Sequence, residues 1–421
     1  MRYVIAAICL VSSAALADTV AIKAGAIVDP VNGTEARNQT VIVDNGVIRA
    51  VGPGLPIPDG ARVVDLSKEW LAPGLMDAHQ HLSLGMVYEA RQPYPDVAVY
   101  LTESTAHRAL RGLHNAQLML DAGFTTIRDP GYEGEYAMVD VRRSIAEGVF
   151  EGPTIISGGK VIAPFGGNSG HISPERGRFW DYEYIDADTP DDVRRAVRRN
   201  LYYGATVIKL LSEADPGADQ PGYHYSVEEI RAAVDEAHKA GIAVAIHVMG
   251  GAAAQAAIDG GVDSIEHGWN LSDAQLSQMK AKGIFLCGTD IPQDQLVAWL
   301  GDKEAAQTAT EILDRLKRAH RIGVRMAFGT DIWYDIPGRS RADLAFDFLS
   351  MWRSAGVDPA AILRAMTSDA AELLRVNRER GRIIPGLAAD IVAMPADPLG
   401  DIEALRKINF VMKNGKTIRT L

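Results

Sequence analysis

His79 and His81 flank Gln80, and four further residues of similar promise follow far along the chain: Lys209, His247, His267 and Asp331. Imidazole and carboxylate are ligands for borderline and hard cations, zinc by default. A cation so held acidifies water and polarises a carbonyl. One His-x-His pair is a weak signal, because a single strand-end histidine is more often a satisfied polar side chain. Here, however, each candidate stands at or near the end of a short apolar run: Leu75 to His81, Thr206 to Leu211, Ala243 to Val248, Ser264 to His267 and Met326 to Asp331. Unrelated structural causes would not choose the same end of five runs, so the set reads as one metal site.

Three more runs, Thr125 to Asp129, Thr154 to Ser157 and Ile284 to Cys287, bring the strands to eight. Amphipathic stretches such as Val227 to Ala240 and Glu304 to Arg321 alternate with them, and Gly204, Gly241, Gly283 and Gly323 mark helix-to-strand junctions. This predicts an α/β fold, a (β/α)8 TIM barrel over residues 72–380, whose C-terminal mouth receives the candidate ligands. The period of two along a strand puts both imidazoles of His79 and His81 on one face.

The flanks read differently. Short alternating runs (Thr19 to Ile22, Thr40 to Val43, Val47 to Ile48) surround Asn45-Gly46, and after Gly381 come Ile391 to Ala393, Phe410 to Met412 and Asn414-Gly415. Segments 18–71 and 381–421 are expected to pair as a small β-sandwich domain made from both chain ends. Residues 1–17 carry Arg2, the apolar run Tyr3 to Leu10 and small residues ending Ala15-Leu16-Ala17 before Asp18. They read as a cleavable signal peptide, which predicts a periplasmic or secreted protein with no membrane span after cleavage. Cleavage removes Cys9 and leaves Cys287 alone, which excludes an intramolecular disulfide or a thiolate zinc cluster. Forty-three Lys plus Arg against 54 Asp plus Glu give a net charge of -11 with no basic stripe, which argues against a nucleic-acid partner.

The connection after the third strand is long and contains Phe165-Gly166-Gly167-Asn168-Ser169-Gly170-His171. Long connections are usually functional, and His171 is expected to donate a hydrogen bond to substrate. Arg128 and Asp129 close the second strand and read as an ion pair, Cys287 as a small buried hydrophobe, and His107, His114, His238 and His320 as helix residues away from the site. Tyr223, His224 and Tyr225 follow the fourth strand without an assigned role.

The run Ala72-Pro73-Gly74-Leu75-Met76-Asp77-Ala78-His79-Gln80-His81, the second strand Gly123-Phe124-Thr125-Thr126-Ile127-Arg128-Asp129 and the closing Pro385-Gly386-Leu387-Ala388-Ala389-Asp390-Ile391-Val392 together resemble the metal-dependent amidohydrolase superfamily. The resemblance covers nearly the whole chain after residue 17. Within it, the chain looks most like the binuclear branch of Xaa-Pro dipeptidases and related dipeptide or N-acyl amino acid carboxypeptidases. An ammonium cannot ligate a cation, so Lys209 is taken, as the resemblance implies, to be carboxylated to a bridging carbamate. The resemblance further implies two divalent metal ions, Zn2+ in the usual assignment of such ligands: His79, His81 and Asp331 on one, His247 and His267 on the other. It implies a metal-bridging hydroxide that attacks the amide, Asp331 as the catalytic proton carrier, a small-molecule or dipeptide substrate, and a homo-oligomer. In that branch a second His commonly stands two positions after the strand-five ligand, where this chain has Met249. The same metal pair also suits lactones, cyclic amides or phosphotriesters, and a non-catalytic metal-binding scaffold is the reading from outside enzymology.

Overall fold

A computed structural model of the chain describes residues 19–86, 101–167, 177–214 and 222–420, with Val99 and Glu175. The signal segment and His171 lie outside the described residues.

The chain starts with four strands, β1 (Thr19–Asp29), β2 (Thr34–Asp44), β3 (Val47–Pro53) and β4 (Arg62–Pro73). Asn45-Gly46 turns with φ of 49° and 81°, the left-handed pair that a tight hairpin of the right twist needs. Gly74 then lets the backbone pass beside the second barrel strand, since a Cβ there would stand 2.2 Å from Thr125 Oγ1.

The parallel strands follow: β5 (Leu75–Asp77), β6 (Phe124–Asp129), β7 (Thr154–Ser157), β8 (Val161–Ala163), β9 (Tyr184–Asp186) and β10 (Ile208–Leu211). After a small hairpin of β11 (Glu213–Ala214) and β12 (Tyr223–His224) come β13 (Val244–Gly250), β14 (Ser264–Asn270) and β15 (Phe285–Cys287). β5, β6 and β7 are hydrogen-bonded neighbours, as are β8, β10, β13, β14 and β15. Thr206 N donates to Ser157 O (2.8 Å), joining the two groups. Helices such as Val227–Lys239 and Asp302–Ile322 cover the outside, and Gly204, Gly241, Gly283 and Gly323 all turn at their ends with positive φ. Among the described residues, no helix is long and apolar enough to cross a membrane.

The eighth strand differs from its prediction. Residues 326–331 make a single bridge, Met326 to Leu286, and close the ring through scattered bonds, Ala78 N to Phe328 O (2.8 Å) and Thr330 N to His79 O (3.0 Å). Gly329 forces this intimacy, because a Cβ there would meet the Cys287 sulfur at 2.3 Å and His79 Cβ at 2.9 Å.

The last strands, β16 (Ile391–Met394), β17 (Phe410–Lys413) and β18 (Lys416–Thr420), return to the start of the chain. They join it in one seven-stranded sheet of order β18-β17-β16-β4-β1-β2-β3. The sheet folds over a core of Val20, Ile22, Val41, Ile391, Phe410 and Met412, so the two-layered unit from both chain ends is made of one continuous sheet. Its fold-over is held where Val47 bridges Ala388 and Ala389 N donates to Gly46 O (2.8 Å).

Candidate metal centre

The barrel interior is lined by small residues, Ala78, Ala243, Ala245 and Ala327 among them, which leaves room for large charged ones. Register places Lys209 beside Ala245, Leu211 beside His247, His247 beside Glu266 and Arg128 beside Ile156. Paired residues share a face, so Arg128, Lys209, His247 and Glu266 point into the barrel. His267 is one step out of phase with Glu266. Strict alternation would send its ring away, but it adopts φ 66°, which re-aims the ring to 4.4 Å from that of His247 and 5.2 Å from that of His79. Asp331 (φ 57°) and Thr289 (φ 44°) are also left-handed. Three non-glycine residues in this region at the ends of neighbouring strands are a mark of a built site.

His79 and His81 lie past the hydrogen-bonded end of β5 yet still converge: their Nε2 atoms stand 3.4 and 3.0 Å from Asp331 Oδ1. His81 Nδ1 donates to Gly131 O (2.8 Å), and His79 Nδ1 to Glu266 Oε2 (2.6 Å). Both acceptors have no proton to give, so each ring presents an unprotonated Nε2 to the mouth. His267 uses Nδ1 at 2.8 Å from Thr289 Oγ1. Burial pushes His79 and His267 well below the usual imidazole range and His247 to about 3, with neighbouring Lys209 and histidines adding to the effect, so all three rings are neutral. Burial also lowers Lys209 to about 8, and its Nζ makes no hydrogen bond or ion pair among the described residues.

The donor set fits a cation. Among the described residues, His79 Nε2 is buried with no hydrogen-bond partner, and atoms of His79, His267 and Asp331 able to bind a cation all lie within 4.8 Å of one another.

Sequence reasoning missed the residues behind these. The expected Arg128–Asp129 pair does not form, because consecutive strand residues face opposite ways. Arg128 instead forks onto Glu266 (2.7 and 2.8 Å), while Asp129 accepts from Leu82 N (2.8 Å) and Gly131 N (3.2 Å). Arg341, buried, donates to His81 O (2.9 Å), Ile332 O (2.7 Å) and Leu84 O (2.7 Å), clamping the segments after His81 and Asp331 together. Neither Glu266 nor Arg341 carries a local signal, although the alternation of Ser264 and Glu266 could have marked Glu266 as inward. Cys287 is buried as expected, and burial lifts its thiol well above the usual range. Tyr223 donates to Phe165 O (2.6 Å), while Tyr225 is buried and its hydroxyl has no hydrogen-bond partner among the described residues. His107, His114, His238 and His320 lie on outer helices.

A parallel barrel whose C-terminal mouth gathers four imidazoles, a carboxylate and a buried amine defines a class, the metal-dependent hydrolases of the amidohydrolase superfamily. The chain belongs to the Amidohydrolase family, whose model matches residues 70–418, and is a hydrolase of amide bonds. It is 28% identical to ochratoxinase of Aspergillus niger, over 94% of this chain and 86% of that protein. Among solved structures it is similar to a Xaa-Pro dipeptidase with methionine bound in the active site (TM-score 0.82, 26% identity, 95% of this chain and 100% of that one). A prolidase complexed with N-methylphosphonate-L-proline is equally similar (TM-score 0.82, 25% identity, 96% and 100%).

Proposed function

We propose that this hydrolase cuts the amide bond beside the C-terminal residue of dipeptides or N-acyl amino acids, in the periplasm or outside the cell, after loss of residues 1–17. The observation that carries the metal reading is the buried, partnerless Nε2 of His79 facing Asp331. His79, His81 and Asp331 would hold one divalent cation and His247 and His267 a second, zinc by ligand type, with Lys209 carboxylated between them. Bound there, the cations supply an acidified water and a polarised scissile carbonyl. Asp331 takes the proton released on attack and passes it to the leaving amine. Its carboxylate is 3.0 Å from His81 Nε2 and its side chain is 12% exposed, so it meets both the ligands and the mouth. Met249, partly buried on the same strand face as His247, gives an apolar wall for a side chain or a proline ring. The likeness to the methionine-bound dipeptidase and the proline-analogue complex supports this substrate class.

The test is metal content by mass spectrometry together with a panel of dipeptides, N-acyl amino acids, lactones and phosphotriesters. Two ions per chain and highest kcat/KM on the first two groups are expected. Faster turnover of lactones or phosphotriesters reassigns the substrate, and no turnover by the ion-loaded protein leaves a scaffold.

A further inference from the structure

Behind the mouth, a buried line of side chains crosses the barrel from the second strand to the sixth and back to the first. Arg128 is 1% exposed and places Nη2 2.7 and 2.8 Å from the two oxygens of Glu266. Its Nε donates to Ala78 O and its Nη1 to Ser264 Oγ (3.2 Å). Glu266, fully buried, also accepts from Ser264 Oγ and from His79 Nδ1 (2.6 Å). A guanidinium keeps its charge when buried, and Glu266 is the carboxylate that faces it, so Glu266 is an acceptor only. His79 must then carry its proton on Nδ1, which leaves the lone pair on Nε2, the atom without a partner.

We infer that Glu266, held by Arg128, is the positioning residue that fixes the tautomer and orientation of His79 before any ion arrives. This rests on the metal reading above and deepens it. The pair is neutral overall, so its contribution is the direction of the ligand's lone pair and not added negative charge. A glutamine at position 266 cannot reproduce it. Its carbonyl can satisfy either Arg128 or His79, and whichever is left meets an N–H, which favours the His79 tautomer with the proton on Nε2 and removes one ligand.

The two accounts separate in a pair of variants. Glu266→Gln removes a negative charge near the ions and Arg128→Met removes a positive one, so a purely electrostatic role predicts opposite changes in cation affinity. The positioning role predicts that both weaken it. For each protein, zinc affinity is measured by chelator competition, and the His79 tautomer is read from 15N chemical shifts in the ion-free state. We expect zinc to bind about 10- to 100-fold more weakly in both, the scale of losing an outer partner of a metal ligand. The ion-free Glu266→Gln protein should have lost the Nδ1–H signal of His79. Glu266→Asp, which keeps the charge but shortens the reach, should fall between, and it serves if Glu266→Gln does not fold. Affinity within twofold of wild type with the Nδ1–H tautomer retained, or opposite shifts in the two charge variants, overturns the inference. A wild type that binds no zinc defeats the metal reading instead, while the ion-free tautomer still decides this one.

Discussion

Lys209 in the barrel and Lys413 in the β unit are both buried and both lowered by burial to about 8, yet their surroundings differ. Lys413 Nζ lies 2.9 and 3.1 Å from the oxygens of Asp390, which also accepts from Arg380 (2.5 Å) and Asn414 N (2.8 Å). Those bonds fasten the turn at Asn414-Gly415 against the turn at Asn45-Gly46, where a Cβ at Gly46 would meet Asn414 O at 2.6 Å. Among the described residues, Lys209 has no such carboxylate within hydrogen-bond reach, and beside it His79 Nε2 is without a hydrogen-bond partner. Equal burial costs two lysines similarly. One cluster offsets the cost with bonds that hold the fold, and the other leaves donors and acceptors free for something that comes and goes.

Substitutions sharpen this contrast. Lys209→Ala should lower kcat by about 10³-fold while the protein remains folded, the scale of losing the assembly that activates water. Short carboxylic acids should restore part of the activity, and full activity without them would end the claim that Lys209 bridges the ions. Asp331→Asn should cost at least ~10²-fold in turnover on dipeptides, with little change in melting temperature, by the same kinetic assay and a thermal melt. In the β unit the pattern inverts. Asp390→Ala strands Arg380 and Lys413, and should lower stability by about 3–5 kcal/mol in denaturant titration while the folded fraction keeps its kcat. If kcat falls with it, the two regions are coupled and the contrast fails.

The smallest effect concerns pH. Lys413 titrates at about 8 in the fold against a reference value of 10.5, so between those values the unfolded chain binds more protons than the folded one. Stability owed to Lys413 therefore rises as pH climbs through that window. Lys413→Met should remove the rise, read as the difference between wild-type and variant unfolding curves at pH 8 and pH 10. A difference that does not change with pH counts against an amine held in this way.

The convergence of the candidate residues was legible in sequence, because His79, His81, His247, His267 and Asp331 close apolar runs and the glycines at 204, 241, 283 and 323 mark where helices stop. The Asn-Gly turns announced the β unit for the same reason, a backbone need that few residues meet. Harder to read was anything set by partners far apart in the chain. Arg128 meets Glu266 across 138 positions and Arg341 meets His81 across 260, and neither pairing leaves a local trace. The phase of His267 was hidden too, because alternation alone points it outward and only its left-handed backbone brings it in. Regular patterning also overstated the eighth strand, where packing around Gly329 replaced a ladder with isolated bonds.

Since β4 pairs with β1 along much of its length and with β16 over Trp70 to Pro73, the end of the strand that leads into the barrel waits on the far end of the chain. A growing polypeptide has made β4 by residue 73 but not β16 until residue 391. At about 5–20 residues per second that is an interval of roughly 15–60 s with an open strand edge, during which a neighbouring nascent chain could add to it. The waiting edge, Trp70 to Pro73, is short, with Asp65, Lys68 and Glu69 charged just before it and Pro73 lacking an N–H at its end, and holding the chain unfolded until synthesis is complete would remove the hazard altogether.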